Sequence, residues 1–453
     1  MKPFTTHYKD LTRLGVPIVI GQLGIIFVSF VDTFMVGQHG TYDLAAASFV
    51  NNMFNLAIIF ATGFSYGLTP IIGKLFGKGK LHEAGGMLKN ALVANGCIGL
   101  LLVAAMYLLY LNIGNLGQPV ELLDIMRPYY TTLLISIPFI LLFNAFKQFA
   151  DGITETKTSM WVLLAGNVLN IVGNYVLIFG KWGMPELGLL GAGISTLASR
   201  MAMLAIMLVI IFKTKRYSVY ARGFLLGATN KTKLKELFRL GLPIAAQMGM
   251  ETASFSLATI MVGWLGAKAL AAHQIMCTVG QLGFMVYYGM AAAVAVKVSN
   301  YNGAGDTANI RRSASAGFHL ITIMAAITSV LIFTLRNRLG TPFTDDDTVV
   351  MLVAQLAIPF VLYQFGDGMQ SNYANALRGI ADVKPMMLFA FIAYFVVSLP
   401  AGYLFGFILG MGLPGVWMSF PFGLTCAGIM FYLRFKRTLR KREIATSTFA
   451  QNQ

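Results

Sequence analysis

One passage of this 453-residue chain occurs twice: residues 9–79 align without a gap to residues 235–305. Arg13, Leu14, Gly15, Pro17 and Ile18 return as Arg239, Leu240, Gly241, Pro243 and Ile244, an offset of 226 residues (239 − 13). The register holds at distant landmarks, because Met35, Val36, Gly37 and Gly40 meet Met261, Val262, Gly263 and Gly266, while Gly63, Gly77 and Gly79 meet Gly289, Gly303 and Gly305. Any fold for this chain must therefore use one module two times.

The module is built for lipid. Hydrophobic residues make up 57% of the chain and charged residues 11%, against about 25% charged in soluble domains, and the mean hydropathy is +0.69. Apolar runs near the ~20 residues that cross a hydrocarbon core fall at 13–37, 47–73, 87–111, 126–149, 158–180 and 188–212, then at 237–264, 276–298, 312–333, 349–374, 386–409 and 413–434. They predict an all-α polytopic membrane protein of twelve transmembrane helices, six per copy. An even number of spans returns the chain to its starting side, so the two six-helix repeats insert as parallel repeats, an arrangement used by transporters. Lys and Arg concentrate at the N-terminus and in alternate loops, whereas the opposite loops hold only Arg127, Lys181, Lys268, Arg336 and Arg338. The positive-inside rule then places both termini in the cytoplasm. The expected division is an N-terminal lobe over 1–212, a cytoplasmic connector over 213–236, a C-terminal lobe over 237–434 and a basic tail over 435–453.

This topology accounts for the net charge of +16 without nucleic acid as a partner. The basic stretch from Arg434 to Arg442 reads as a stop-transfer flank suited to anionic membrane lipid. Cys97, Cys277 and Cys426 each fall inside an apolar span without ligand spacing, so neither a disulfide nor a structural metal is expected. The first apolar stretch is too long for a signal peptide and lacks a small-residue cleavage site, so it is expected to stay as the first helix. The stretch Gly73 to Lys80 lacks the phosphate-cradling G-x-x-x-x-G-K-[ST] spacing, and no HExxH or nucleophile elbow occurs. Neither an enzyme nor a cofactor is expected, and energy for transport has to come from an ion gradient.

Polar groups inside apolar spans locate the chemistry, because a charge at mid-membrane costs at least about 2.5 kcal/mol. Three acids stand there: Asp32 in span one, Glu251 in span seven and Asp367 in span ten. The repeat mates of Asp32 and Glu251 are Ala258 and Ile25, so the copies have diverged in function. Tyr363 precedes Asp367 by four residues and shares its helical face. A carboxylate beside a ring suits a monovalent cation, and a core aromatic with a satisfied hydroxyl fits the same spacing. If Glu251 faces the same cavity, the two carboxylates can share a proton or bind Na+.

Asn167, Asn170 and Asn174 form one stripe on span five, read either as amides gluing helices or, against Asp32, as a network that senses its protonation. Pro17 and Pro243 interrupt the ladders of spans one and seven, for packing or for a hinge. Asp345, Asp346 and Asp347 before span ten either attract cationic solutes to a substrate entrance or form a solvated helix N-terminus. His273, at the loop entering span eight, reads as a packing residue, and Arg200 as the only deep base.

Together these residues resemble the multidrug and toxic compound extrusion (MATE) transporters, particularly the NorM-type branch, over nearly the whole chain. The similar segments are Val31 to Gly37, Asn170 to Tyr175 leading to Gly180 to Gly183, Glu251, Ala271 to Gln274, Asp367 to Gln370 and Leu377 to Gly379. The resemblance implies a V-shaped pair of six-helix lobes in the bacterial inner membrane, monomeric, exporting organic cations in exchange for Na+ or H+. It implies a cation site at Glu251, Tyr363 and Asp367, and a proton or substrate network at Asp32, Asn170, Asn174 and Thr196. Some relatives carry aspartate at the position of Asn174, which shifts the weight here to Asp32 and the C-terminal pair. Three rivals remain: a flippase of lipid-linked precursors in the same superfamily, which predicts a cleft rich in Arg and Lys; a major facilitator, whose acid and paired arginines are missing between spans two and three; and a passive channel, whose pore-loop signature is absent.

Overall fold

The computed structural model describes residues 2–115 and 119–451, apart from the side chains of Val120 and residues 445–451. Among the described residues every regular element is helical, as lipid requires of a chain that must satisfy each backbone N–H and C=O within its own segment. The last two residues of the expected basic tail lie outside the described residues.

The first repeat comprises α1 (Phe4–His39), α2 (Thr41–Ser65), α3 (Leu68–Gly77), α4 (Leu81–Leu111), α5 (Val120–Gly152), α6 (Thr156–Ile178) and α7 (Gly188–Lys213). A short α8 (Ser218–Leu226) lies in the connector. The second comprises α9 (Lys231–Gly263), α10 (Ala267–Ala304), α11 (Thr307–Leu335), α12 (Asp347–Gln355), α13 (Ala357–Gly379), α14 (Lys384–Phe391), α15 (Leu399–Tyr403), α16 (Gly412–Trp417) and α17 (Ser419–Gln451). Each expected span coincides with one helix or with two consecutive ones, the pairs being α2 with α3, α12 with α13, α14 with α15 and α16 with α17.

Among the described residues ten runs are long and apolar enough to cross a membrane, and α12 with α13, bent by 41° at their break, forms an eleventh. The remaining expected span is α9, 33 residues long. Gln247, Glu251, Thr252, Ser254, Ser256 and Thr259 lower its apolarity below that of the rest. Outward faces are apolar: Leu100 and Leu101 on α4 are 68% and 65% exposed, which suits a helix whose solvent is lipid.

Two compact units emerge. One holds residues 20–245, and the other holds the residues up to Val19 together with Ala246 onward. The chain thus changes unit inside α1 and inside α9, at positions again 226 apart (246 − 20), each a few residues after the helix's internal proline, Pro17 or Pro243.

Within the C-terminal unit Gly15 lies against the Met290 side chain, and within the N-terminal unit Gly241 lies 2.7 Å, measured from where a Cβ would stand, from the Phe64 carbonyl oxygen. Met290 is the repeat mate of Phe64, as Gly241 is of Gly15. The same close helix approach, possible because neither position carries a Cβ, is therefore made once in each unit.

The symmetry extends beyond the gapless passage. Gly152-Ile153-Thr154-Glu155 ends α5, and Gly379-Ile380-Ala381-Asp382 ends α13. Thr154 and Ala381 adopt left-handed φ values of 68° and 61°. The Glu155 amide donates to the Ala150 carbonyl at 2.8 Å and that of Asp382 to Leu377 at 3.0 Å. These bonds close the helices in the Schellman manner without the usual glycine.

Candidate functional site

In the N-terminal unit a chain of hydrogen bonds begins at Asp32 on α1. Asn174 Nδ2 donates to Asp32 Oδ1 at 2.5 Å and makes a long contact of 3.4 Å to Asn170 Oδ1. Asn170 Nδ2 donates in turn to Thr196 Oγ1 on α7 at 3.3 Å. Asn170 and Asn174 are one turn apart on α6 and both buried. Ser195 holds the Asn170 carbonyl at 2.8 Å.

The structure thus brings together Asp32, Asn170, Asn174 and Thr196. It leaves Asn167 outside, with Nδ2 buried and no hydrogen-bond partner among the described residues. Close by in electrostatic terms stand Tyr129, whose hydroxyl donates to Asn51 Oδ1 at 3.0 Å, and Arg200, whose guanidinium donates to Ser136 Oγ at 2.6 Å.

The C-terminal unit holds a longer line. Glu251 Oε2 on α9 accepts from Gln247 Nε2 at 2.8 Å and from Gln370 Nε2 at 3.1 Å. Gln370 also reaches the Tyr394 hydroxyl at 3.0 Å, on a π-helical segment over Ile392–Ser398, a widening that recurs at functional sites. Ser371 Oγ lies 3.2 Å from Gln370 Oε1 and 3.4 Å from Asp367 Oδ1. Arg378 Nη2 donates to Gln247 Oε1 at 2.7 Å, which fixes that amide so that its NH2 points at Glu251.

Asp367 is 1% exposed. Its Oδ2 is buried with no hydrogen bond of good geometry among the described residues, an expensive arrangement for a carboxylate that nothing further binds. Tyr363 flanks Asp367, and its ring packs against Phe255, Phe360 and Phe420 at centroid distances of 6.4, 5.4 and 6.3 Å. Tyr363 is half-buried, packed on rings and beside the carboxylate.

Glu251, Asp367, Ser371, Tyr363 and Tyr394 supply oxygen donors, the hard ligands that alkali and alkaline-earth cations take. No group of three or more His, Cys, Asp or Glu that could hold a metal ion occurs among the described residues. Gln247, Gln370, Ser371 and Tyr394 were not singled out from sequence. The first three stand three or four residues from Glu251 or Asp367, the helical spacing that would have found them. Tyr394 carries no such signal.

Other residues fall elsewhere. Asp346 caps α12, accepting from the Thr348 amide at 2.9 Å, and pairs with Lys268 at 2.9 Å. The Lys268 ammonium holds its carboxyl below the ordinary value. Asp345 and Asp347 are exposed. His273 lies inside α10 rather than at its entrance. Trp417 Nε1 donates to its Nδ1 at 3.0 Å, leaving Nε2 to face Thr259 Oγ1 at 2.9 Å. Since indole can only donate, this fixes a neutral Nε2–H tautomer that ties α9, α10 and α16 together.

Arg200 is not the only deep base. Arg378 and Lys147 are 5% and 9% exposed, and Lys147 is held by Asp151 at 2.7 Å. Burial along helix ends, invisible to span counting, separates these bases from their loops.

The sequence pattern of the MatE family matches this chain twice, over residues 17–176 and 243–404. The two matches are themselves 226 residues apart (243 − 17). The chain belongs to the MatE family. Solved MATE structures share its fold over nearly its full length. A mutant of the MATE transporter VcmN from Vibrio cholerae aligns with a TM-score of 0.89 at 18% identity, covering 97% of this chain and 98% of that one. The eukaryotic MATE transporter AtDTX14 aligns at 0.85 and 17%, with the same coverage. A transporter of the MOP superfamily from Pyrococcus furiosus, described as having a binding pocket of reverse polarity that suggests a different function, aligns at 0.87 and 18%, covering 96% and 97%. This MatE protein has the multi-pass membrane fold of the solved MATE transporters.

Proposed function

We infer that this MATE protein is a secondary active exporter of organic cations or amphipathic drugs, driven by exchange for Na+ or H+. The supporting observation is the Glu251–Gln370–Ser371–Asp367 line in the C-terminal unit, which gathers two carboxylates in one buried polar network and leaves Asp367 Oδ2 open to a proton or a cation. The coupling ion binds at Glu251, Asp367 and Tyr363, while Asp32, Asn170, Asn174 and Thr196 hold a proton or substrate in the N-terminal unit. Drug and coupling ion stabilise opposite-facing states, so each is released as the other loads. The exposed Asp345 and Asp347 stand at the substrate entrance. The protein works as a monomer without cofactor or nucleic acid, in a NorM-like manner, in the inner membrane with both termini cytoplasmic.

A second reading rests on one specific observation. Arg200 makes its hydrogen bond to Ser136, and no carboxylate lies within ion-pair distance of it among the described residues. An unpaired base beside the Asp32 network favours a substrate that carries a negative group, as a flippase of lipid-linked precursors would need.

The deciding experiment follows ethidium movement in proteoliposomes under an imposed Na+ gradient, then under a pH gradient without Na+. Movement under the Na+ gradient alone makes the Glu251–Asp367 pair a metal-ion site, and movement under the pH gradient alone makes its acids proton carriers. Movement under neither overturns the exporter reading and leaves the Arg200 reading standing.

A further inference from the structure

At the C-terminal end of the last span, α17 presents Arg434, Arg437, Thr438, Lys441 and Arg442. Their spacing of three, four, seven and eight residues puts them on one helical face, and together they line a cavity of about 260 Å³. Two of the arginines are anchored. Arg434 binds Asp382 through both Nε, at 2.7 Å, and Nη2, at 3.0 Å, and Thr438 donates to Asp382 at 2.7 Å. Arg442 donates to Asn302 Oδ1 at 2.7 Å and to the Ile380 carbonyl at 3.1 Å.

Arg434 and Arg442 are thus both held by the adjoining helix end. Arg437 and Lys441 are exposed, and among the described residues no carboxylate lies within ion-pair distance of either. The first repeat makes the matching anchor, Arg216 with Glu155.

The position selects the ligand. Residues Ser419 to Leu433 complete an apolar span, so the residues that follow stand at the depth of lipid headgroups. A compact, preorganised set of guanidinium and ammonium donors around a small concavity fits a tetrahedral anion with several acceptor oxygens. We propose that the cavity lined by Arg434, Arg437, Thr438, Lys441 and Arg442 is a binding site for a phosphodiester anion, supplied by the headgroup of an anionic membrane lipid. The proposal needs only that α17 end at a membrane surface, so it stands whatever the coupling ion or substrate.

The test uses the full chain purified in detergent, with phosphatidylglycerol, phosphatidylcholine and inorganic phosphate as probes. Retained lipid is read by native mass spectrometry and the melting temperature is read in parallel. Two double variants remove the same charge: Arg437→Gln with Lys441→Gln in the cavity, and Lys436→Gln with Arg440→Gln outside it. Phosphatidylglycerol is expected to be retained over phosphatidylcholine and to raise the melting temperature. The cavity variant should weaken retention about tenfold, the loss of one good charge-assisted contact set, while the control variant retains lipid as the unmodified protein does. Equal loss in both variants means diffuse attraction to a basic surface and overturns the site, as does equal retention of the two lipids. Inorganic phosphate that matches the effect of phosphatidylglycerol overturns the lipid source while keeping the anion site.

Discussion

The two units have kept the same packing and exchanged their interiors. Where helix meets helix the copies are nearly interchangeable, with Gly15 against Met290 in one and Gly241 against Phe64 in the other, and with left-handed Thr154 and Ala381 closing equivalent helix ends. Their polar centres are built from different residues. The N-terminal unit has one carboxylate, Asp32, held by a ladder of two asparagines and a threonine, whereas the C-terminal unit has two, Glu251 and Asp367, joined through Gln370 and Ser371. Close packing constrains both copies alike, because a helix approach tolerates little change of volume. A polar network is constrained only by what it binds, so one module carries two chemistries once duplicated.

The largest expected effect breaks that division directly. Asp367→Asn removes the carboxylate with the open oxygen and is expected to reduce gradient-driven ethidium efflux to that of protein-free liposomes, with the melting temperature nearly unchanged. Asp32→Asn is expected to impair transport while leaving binding of the coupling ion, measured by isothermal titration, intact. If ion binding is lost in both variants alike, the two networks act as one site and the division fails.

Next in size is the support of Glu251. Arg378→Gln loses the 2.7 Å bond that orients Gln247, and a buried hydrogen bond from a charged donor is worth about 1.5–3 kcal/mol. Arg200→Gln loses a single bond to Ser136, also from a charged donor but one that is half-buried, and should cost less than Arg378→Gln because the guanidinium keeps part of its solvation. Thermal melting of the two variants ranks them, and a greater loss in Arg200→Gln reverses the comparison.

The shared packing predicts its own asymmetry. A methyl added at Gly241 meets the Phe64 carbonyl and ring, whereas one added at Gly15 meets the far end of the flexible Met290 side chain. Overpacking against backbone costs about 1–3 kcal/mol, so Gly241→Ala should melt well below Gly15→Ala, which the methionine can accommodate. Equal melting temperatures would show that the two approaches are not the same contact.

Much of this was legible in residues. The repeat, the twelve spans, Asp32, Asn170 and Asn174 follow from offsets and from polar side chains in apolar runs, since lipid makes a charge at mid-span conspicuous, whereas Thr196 came through the family resemblance alone. What stayed hidden has physical reasons. Gln247, Gln370 and Tyr394 are neutral, and an amide or phenol in a membrane helix signals little until a carboxylate is known to face it. Arg378 and Lys147 looked like loop bases because they lie near span ends, and only packing shows them buried. The passage of α1 and α9 between compact units is not marked by any break in either helix, since each runs on through its proline as one continuous element.

The smallest effect separates the two helix-end anchors. Burial opposes ionisation of Asp382, but hydrogen bonds from Arg434 and Thr438, with the Arg434 and Arg442 charges, outweigh it and hold the carboxyl below its ordinary value. A carboxylate depressed in the folded state contributes stability that is present above its unfolded value of about 3.9 and is lost as pH falls through the lower folded value. Asp382→Asn should therefore lower stability by about 1 kcal/mol at neutral pH, a charge-assisted bond discounted for a half-exposed partner, and the difference from unmodified protein should shrink as pH falls below the ordinary carboxylate value and through the lower folded one. Glu155→Gln acts on a pair whose Arg216 is 67% exposed, where screening leaves under about 0.5 kcal/mol. Melting both variants across this pH range is the check: a loss in Glu155→Gln equal to that in Asp382→Asn would mean that the anchors, like the packing, were kept alike after duplication.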